Sequence, residues 1–239
     1  MTSFIWKNKL AWLVGIVVVF VAIDQGSKNW ALNALTRPAT SEELQLDQRC
    51  NVVPRPKRTD ADDPCRKWRY GLVTRYGQRD VTTDQIAVVD GVFSFKYAEN
   101  PAAAFSLTGS LPDQFRWPFL VLISLIAGVG ITFWYFKLKD PDWAIFTAFP
   151  LIIAGAVGNL IDRVRLAYVI DFLDAFLTSP AGAATWLRAH FGTNHWPTFN
   201  IADSCIVIGA LLVVLRTIRP LPKAAPVAEG SKSGDNGAV

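Results

Sequence analysis

Four long apolar runs decide what this chain can fold into. The run from Trp117 to Phe136 holds no charged residue at all. A helix of about 20 such residues crosses the roughly 30 Å of bilayer hydrocarbon. Only structures that satisfy every backbone polar group internally survive there, which for runs of this length means helices. Three further runs qualify: Leu10 to Trp30, Trp143 to Ile161 and Phe199 to Ile218. The first has a short apolar core, Leu10 to Ile23, of the kind found in cleaved signal peptides. Asp24, Gln25 and Lys28 follow it, however, rather than a small-residue cleavage site, so it is expected to stay as a span.

Four spans put the N-terminus, the turn between spans two and three, and the C-terminus on one side. Those segments carry Lys7 and Lys9, Lys137 and Lys139, and Arg216, Arg219 and Lys223. The positive-inside rule makes that side cytoplasmic. The opposite loop, about residues 33 to 114, is too long for its arginines to count. The net charge of +4 therefore reflects topology and calls for no nucleic-acid partner.

Within that outer loop, residues 37–85 read as a polar insert without apolar periodicity, and segments such as Pro54-Arg55-Pro56-Lys57-Arg58 are expected to be extended or disordered. The pattern changes at Ile86. Ile86–Val89 and Val92–Tyr97 are β-prone runs on either side of Asp90-Gly91, a strong hairpin signal. They predict a small sheet resting on the outer membrane surface. A short amphipathic helix is expected around Ala183 to Phe191, with Trp186 and Trp196 suited to the interface. The fold class is thus an all-α integral membrane protein: four transmembrane helices, a small extracytoplasmic β-sheet and a short interfacial helix. Residues 1–219 form the membrane domain and 220–239 a disordered cytoplasmic tail. Cys50 and Cys65 share the outer insert. In an oxidising compartment a bond between them would stabilise by about 3 kcal/mol; the alternative is two unpaired thiols. Cys205, in span four, reads as a packing residue.

Against this background two carboxylates stand out. Asp203 lies inside span four, and Asp171 lies in the apolar string Tyr168-Val169-Ile170-Asp171-Phe172-Leu173 after span three. An ionisable group at membrane depth is costly, which makes it a functional candidate. Topology brings more polar residues to the same outer face: Asp24 and Lys28 at the end of span one, Asn159, Asp162 and Arg163 at the end of span three, Asn200 at the start of span four, and Asn100 just after the hairpin. Asp24 and Lys28 are four apart, as are Asn159 and Arg163, and each pair shares a helix face. Two aspartates that meet at one face suggest a carboxylate pair sharing a proton, hence acid–base chemistry on a lipid-dwelling substrate.

Simpler roles compete at several positions. Asp24 with Lys28 reads as a neutralised ion pair that supports the site or orients substrate. Asn159 and Arg163 also fit a role in capping and anchoring span three. Asp162 is expected to be solvated or paired with a neighbouring Arg, and Asp174 to be solvated. Ala154, Gly155 and Gly158 suit close helix packing. Ser27 and Lys28 point about 100° apart on a helix and make a poor Ser–Lys dyad. His190 and His195, read as loop residues, lack zinc-ligand spacing, and there is no Gly-rich phosphate loop. No metal and no cofactor are expected.

Five blocks carry a resemblance: Asp24-Gln25-Gly26-Ser27-Lys28, Asn100-Pro101-Ala102-Ala103-Ala104-Phe105-Ser106, Gly155 to Val164, Val169-Ile170-Asp171-Phe172, and Phe199-Asn200-Ile201-Ala202-Asp203. In this order the chain resembles the signal peptidase II family, the bacterial lipoprotein signal peptidases. The resemblance implies that Asp171 and Asp203 are the catalytic pair and that Asp24, Lys28, Asn100, Asn159, Arg163 and Asn200 support them or bind substrate. It implies cleavage of a prolipoprotein just before its diacylglyceryl-modified cysteine, in the inner membrane, and sensitivity to globomycin. A monomer working among membrane lipids is expected. Two departures are visible: Ala102 stands where the family has Gly, after Pro101, and the insert at 37–85 has no counterpart in the family core. The rival class is a small proton-coupled transporter with aspartate relays, but polar groups would then run through the full membrane depth, usually with internal repeats. Here they stop at one face. A non-catalytic lipoprotein-binding assembly factor would not need two carboxylates within reach of each other.

Overall fold

The computed structural model describes residues 8–38, 40–42, 45, 72–75, 78–82, 85–100, 113–138, 142–178 and 181–218. Four helices are long and apolar enough to cross a membrane: α1 (Lys9–Ala34), α2 (Asp113–Lys137), α3 (Trp143–Leu166) and α5 (Ile201–Ile218). The short α4 (Ala181–Phe191) lies between α3 and α5 in the chain. The expected spans are all present, with ends shifted by a few residues. The last starts at Ile201 rather than Phe199 because Asn200 caps it: its side chain accepts the Asp203 N–H at 2.9 Å, and Asp203 accepts the Asn200 N–H at 3.2 Å. This reciprocal box satisfies two backbone donors that the first turn would otherwise leave orphaned.

α3 is the hub, packed against α1, α2 and α5. Small residues permit its closest contacts. A Cβ at Gly155 would sit 2.2 Å from the Ala202 carbonyl oxygen, and one at Gly158 would sit 2.6 Å from an Asp24 carboxylate oxygen. At the end of the bundle away from the polar cluster, Leu13, Tyr135, Phe146 and Ile153 form one core cluster. There the Tyr135 hydroxyl donates to the Lys9 carbonyl at 3.0 Å and Lys9 Nζ donates to the Leu138 carbonyl at 2.7 Å, while Arg216 pairs with Asp142.

The expected hairpin is β4 (Ile86–Val89) with β5 (Phe93–Asn100), antiparallel, with Gly91 at φ 75° in its turn. A third strand extends it: β6 (Val169–Ala175) pairs antiparallel with β5, setting Ala98 opposite Asp171 and Asn100 opposite Val169. The apolar string around Asp171 is therefore a strand. Ala167, in the left-handed region at φ 66°, ends α3 and turns the chain into it. One face of this sheet meets the C-terminal end of α1, where Ala31, Leu32, Leu35, Tyr97, Ile170, Phe172 and Leu173 make a second core cluster.

The described residues of the insert include strands that its composition does not suggest. β1 (Thr36–Pro38), β2 (Leu72–Arg75) and β3 (Gln78–Thr82) form a separate antiparallel sheet in the order β1-β3-β2. Pairing with Thr36–Pro38, at the end of α1, gives these strands a ladder that a composition-based reading does not foresee. Pro54–Arg58, Cys50, Cys65, residues 101–106 and the tail 220–239 lie outside the described residues.

Candidate active site

Asp171 reaches the site from β6 and Asp203 from the first turn of α5. A backbone bridge brings these elements together. Phe172 and Leu173 both donate their N–H to the Phe199 carbonyl, at 3.0 and 2.8 Å, and the Phe199 N–H donates to the Leu173 carbonyl at 3.0 Å. The residue before the α5 cap is thus pinned to the strand that carries Asp171.

Side-chain amides then link the carboxylates. Asn200 Nδ2 donates to Asp171 Oδ1 at 2.8 Å, to Asn159 Oδ1 at 3.1 Å and to the Ile170 carbonyl at 3.2 Å. Asn159 Nδ2 donates to Asp203 Oδ1 at 2.8 Å. Asn100, at the end of β5, donates to Asp171 Oδ2 at 3.0 Å. Arg163 donates to the Asn159 carbonyl and sits within electrostatic reach of Asp203, Asp162 and Asp171. Asp171 is 1% exposed. Burial first, and the Asp203 carboxylate second, push its carboxyl up to about 7, against the opposing pull of the Asn100 and Asn200 hydrogen bonds. A carboxyl at that value changes protonation near neutral pH, as a general acid–base group must.

Beneath the pair lies a buried ionic knot. Lys28, 2% exposed, bonds Asp24 at 2.8 Å, Asp162 at 2.9 Å and Asn159 Oδ1 at 3.0 Å. Asp24 also accepts the Ala202 N–H at 2.9 Å, and Asp162 accepts the Ile170 N–H at 3.2 Å. The knot joins α1, α3, α5 and β6 through charge-assisted bonds. Its desolvation is offset because every charged atom named here has a partner.

All eight residues singled out from the sequence for this site converge here. Two of the simpler readings need correction. Asp162 is not solvated; it is buried and bonded to Lys28, because the i,i+4 turn carrying Asp24 and Lys28 packs against its face of α3. Asp174 is 2% exposed, bonded to Ser94 at 3.5 Å and to His195 at 3.2 Å, because it lies on β6 opposite Ser94. His190 lies in α4 rather than in a loop. Gln25, to which the sequence reading gives no role, donates to Asp162 at 2.9 Å and to the Gly158 carbonyl at 3.2 Å. Its place one residue after an intramembrane Asp was the available signal. Among the described residues no cluster of three or more His, Cys, Asp or Glu could hold a metal ion.

A family model described as signal peptidase (SPase) II matches residues 68–219. A lipoprotein signal peptidase of Anaeromyxobacter sp. (strain Fw109-5) is 33% identical over 232 residues, 96% of each chain. The chain belongs to the signal peptidase II family. Another relative, the lipoprotein signal peptidase of Geobacter sulfurreducens, is 41% identical over 141 residues, covering 59% of this chain and 78% of its own. A solved bacterial membrane enzyme shares the fold with a TM-score of 0.53 at 20% identity, covering 89% of this chain and 93% of that one. As a member of the signal peptidase II family the chain is a membrane-bound peptidase.

Proposed function

We propose that this protein is an aspartyl endopeptidase that removes the signal peptide from diacylglyceryl-modified prolipoproteins, cutting just before the lipidated cysteine. One observation carries the reading: Asp171 and Asp203, from separate elements, are bonded into one amide network by Asn200 and Asn159. Family membership supplies the substrate class, since the relatives are lipoprotein signal peptidases.

Two carboxyl groups in one buried network cannot both ionise cheaply, so the pair holds one proton around neutrality and titrates as a unit. The ionised member takes a proton from water, and the resulting hydroxide attacks the scissile carbonyl carbon. The protonated member hydrogen-bonds that carbonyl oxygen and delivers a proton to the leaving amine as the C–N bond breaks. Asn100 and Arg163 are placed to orient substrate backbone. Asn159 and Asn200 hold the pair, and the Asp24–Lys28–Asp162 knot fixes the three helices around it.

The basic residues near both termini and at the turn after α2 support a bacterial inner-membrane orientation with both termini cytoplasmic and the site at the outer face. The test is cleavage of a purified diacylglyceryl-modified prolipoprotein peptide in detergent. Cleavage before the lipidated cysteine, absent with the unlipidated peptide, is the expected result. Absence of cleavage, or equal cleavage of both peptides, would overturn the reading.

A further inference from the structure

The segment between α4 and α5 returns along the edge of β6 that faces away from β5. Two antiparallel bridges hold it there, His195 opposite Phe176 and Phe199 opposite Leu173. Ladder bonds accompany the first bridge: the Trp196 N–H donates to the Ala175 carbonyl at 2.8 Å, and the Leu177 N–H to the Asn194 carbonyl at 3.0 Å. The bridges are four residues apart on this segment, His195 to Phe199, but three apart on β6, Phe176 to Leu173. One extra residue therefore bulges between them. Pro197 lies in that stretch and has no N–H to give the ladder.

Backbone bonds alone do not choose a register, because the main chain of β6 offers the same groups at each step; side chains choose it. His195 does so at the bridge farther from α5. Its Nδ1 donates to Asp174 Oδ1 at 3.2 Å, and its ring stacks on Phe176 with centroids 5.0 Å apart. Asp174 is buried, and its other side-chain donor, the Ser94 hydroxyl, stands farther off at 3.5 Å. A slip by one residue would break both His195 contacts and strip a buried carboxyl of its nearest partner. It would also carry Phe199, and the α5 cap behind it, about 3.3 Å along β6. Asn200 Nδ2 meets Asp171 at 2.8 Å, and no hydrogen bond survives a displacement of that size.

We propose that His195, locked to Asp174, is a positioning residue for the carboxylate pair: it sets the register in which the segment leading into α5 delivers Asn200 to Asp171. The inference rests on the reading of function above and gives a role to a histidine outside the amide network.

The test compares His195→Leu, the double variant Asp174→Leu/His195→Leu, and His195→Gln with the wild type. Cleavage of the diacylglyceryl-modified peptide is followed across pH, together with thermal midpoints in detergent. The Asn200 bond favours the ionised form of Asp171, so a displaced Asn200 should move the basic limb of kcat/KM to higher pH. Loss of folded enzyme would instead lower rates alike at every pH and leave the limb in place. Asp203 of α5, Lys28 of α1 and Arg163 of α3, the charged groups that face Asp171, are the same in every variant. His195→Leu should move the limb up and lower kcat about three- to tenfold, with KM within about twofold of wild type. The double variant replaces the polar pair by two apolar side chains; it should regain the thermal midpoint and keep the displaced limb. His195→Gln, whose amide can donate to Asp174, should bring limb and rate back toward wild type. An unmoved limb in His195→Leu, or a double variant that restores limb and midpoint together, would overturn the proposal, since the pair would then serve stability alone. Failure of the wild type to cleave would instead overturn the functional reading, and this proposal with it.

Discussion

Asn200 caps α5 with its side-chain oxygen while its amide nitrogen donates to Asp171 and Asn159. Local helix chemistry and the site therefore share one residue, and the position of Asp203 is set by the same box that starts its helix. The two aspartates differ from it in kind: they can carry the proton. Asp171→Asn and Asp203→Asn keep the shape but can neither accept a proton from water nor share one. Each should lower single-turnover cleavage by far more than tenfold with detergent stability largely kept, and the double variant should be scarcely worse than either single. A single variant that keeps over a tenth of wild-type rate, a barrier change under about 1.4 kcal/mol, would remove it from the catalytic pair. The pH profile tests the same pair. Burial and the Asp203 carboxylate raise the Asp171 carboxyl to about 7, so the pair should lose its shared proton above that value; the reaction needs one protonated carboxyl, and kcat/KM should decline there. Asn100 favours the ionised form of Asp171; Asn100→Ala should therefore shift this basic limb to higher pH. A limb that stays in place, or moves down, would show that Asp171 does not govern it.

Helices and strands were legible in the sequence to different degrees. The spans announce themselves by length and apolarity, and the Asp90-Gly91 hairpin by its turn chemistry. β6 does not, because Val169 to Asp174 are buried throughout, so the period-two alternation that marks a half-exposed strand is absent. The polar residues of the site could be gathered to one membrane face by topology alone. The Lys28–Asp162 pairing could not, since it depends on how α1 rotates against α3, which small residues decide. That dependence is testable at Gly158, where a Cβ would lie 2.6 Å from Asp24 Oδ2. Gly158→Ala should push Asp24 off its partners and cost about 1–3 kcal/mol, read as a lower thermal midpoint in detergent together with reduced cleavage. Gly26→Ala, on α1 with nothing within 4 Å, should leave both unchanged or raise the midpoint slightly. Equal behaviour of the two variants would mean that the close approach of Asp24 to α3 is not needed.

For the whole molecule, the polar chemistry is divided between two ends with an apolar middle. One end holds the carboxylate pair and the ionic knot; the other is tied by Tyr135 to Lys9, by Lys9 to Leu138 and by Arg216 to Asp142. Such a bundle is fixed at both ends while its middle meets lipid, as the exposed Val129, Phe133, Val207 and Leu211 indicate. Among the described residues no polar path runs through its full depth, as a transporter's would. The proposed orientation rests on charge. Lys9, Lys137 and Arg216 belong to the end away from the carboxylates, and Lys7, Lys139, Arg219 and Lys223 are near them in sequence; retention of such residues in the cytoplasm supports the proposed orientation. In a background with the native cysteines replaced, Arg188→Cys on α4 should react with a membrane-impermeant thiol reagent in bacterial cells whose outer membrane has been opened. A cysteine placed at Lys223 should react only after the inner membrane is permeabilised as well. The opposite pattern would put the carboxylates on the cytoplasmic side, and the orientation proposed for the site would fall.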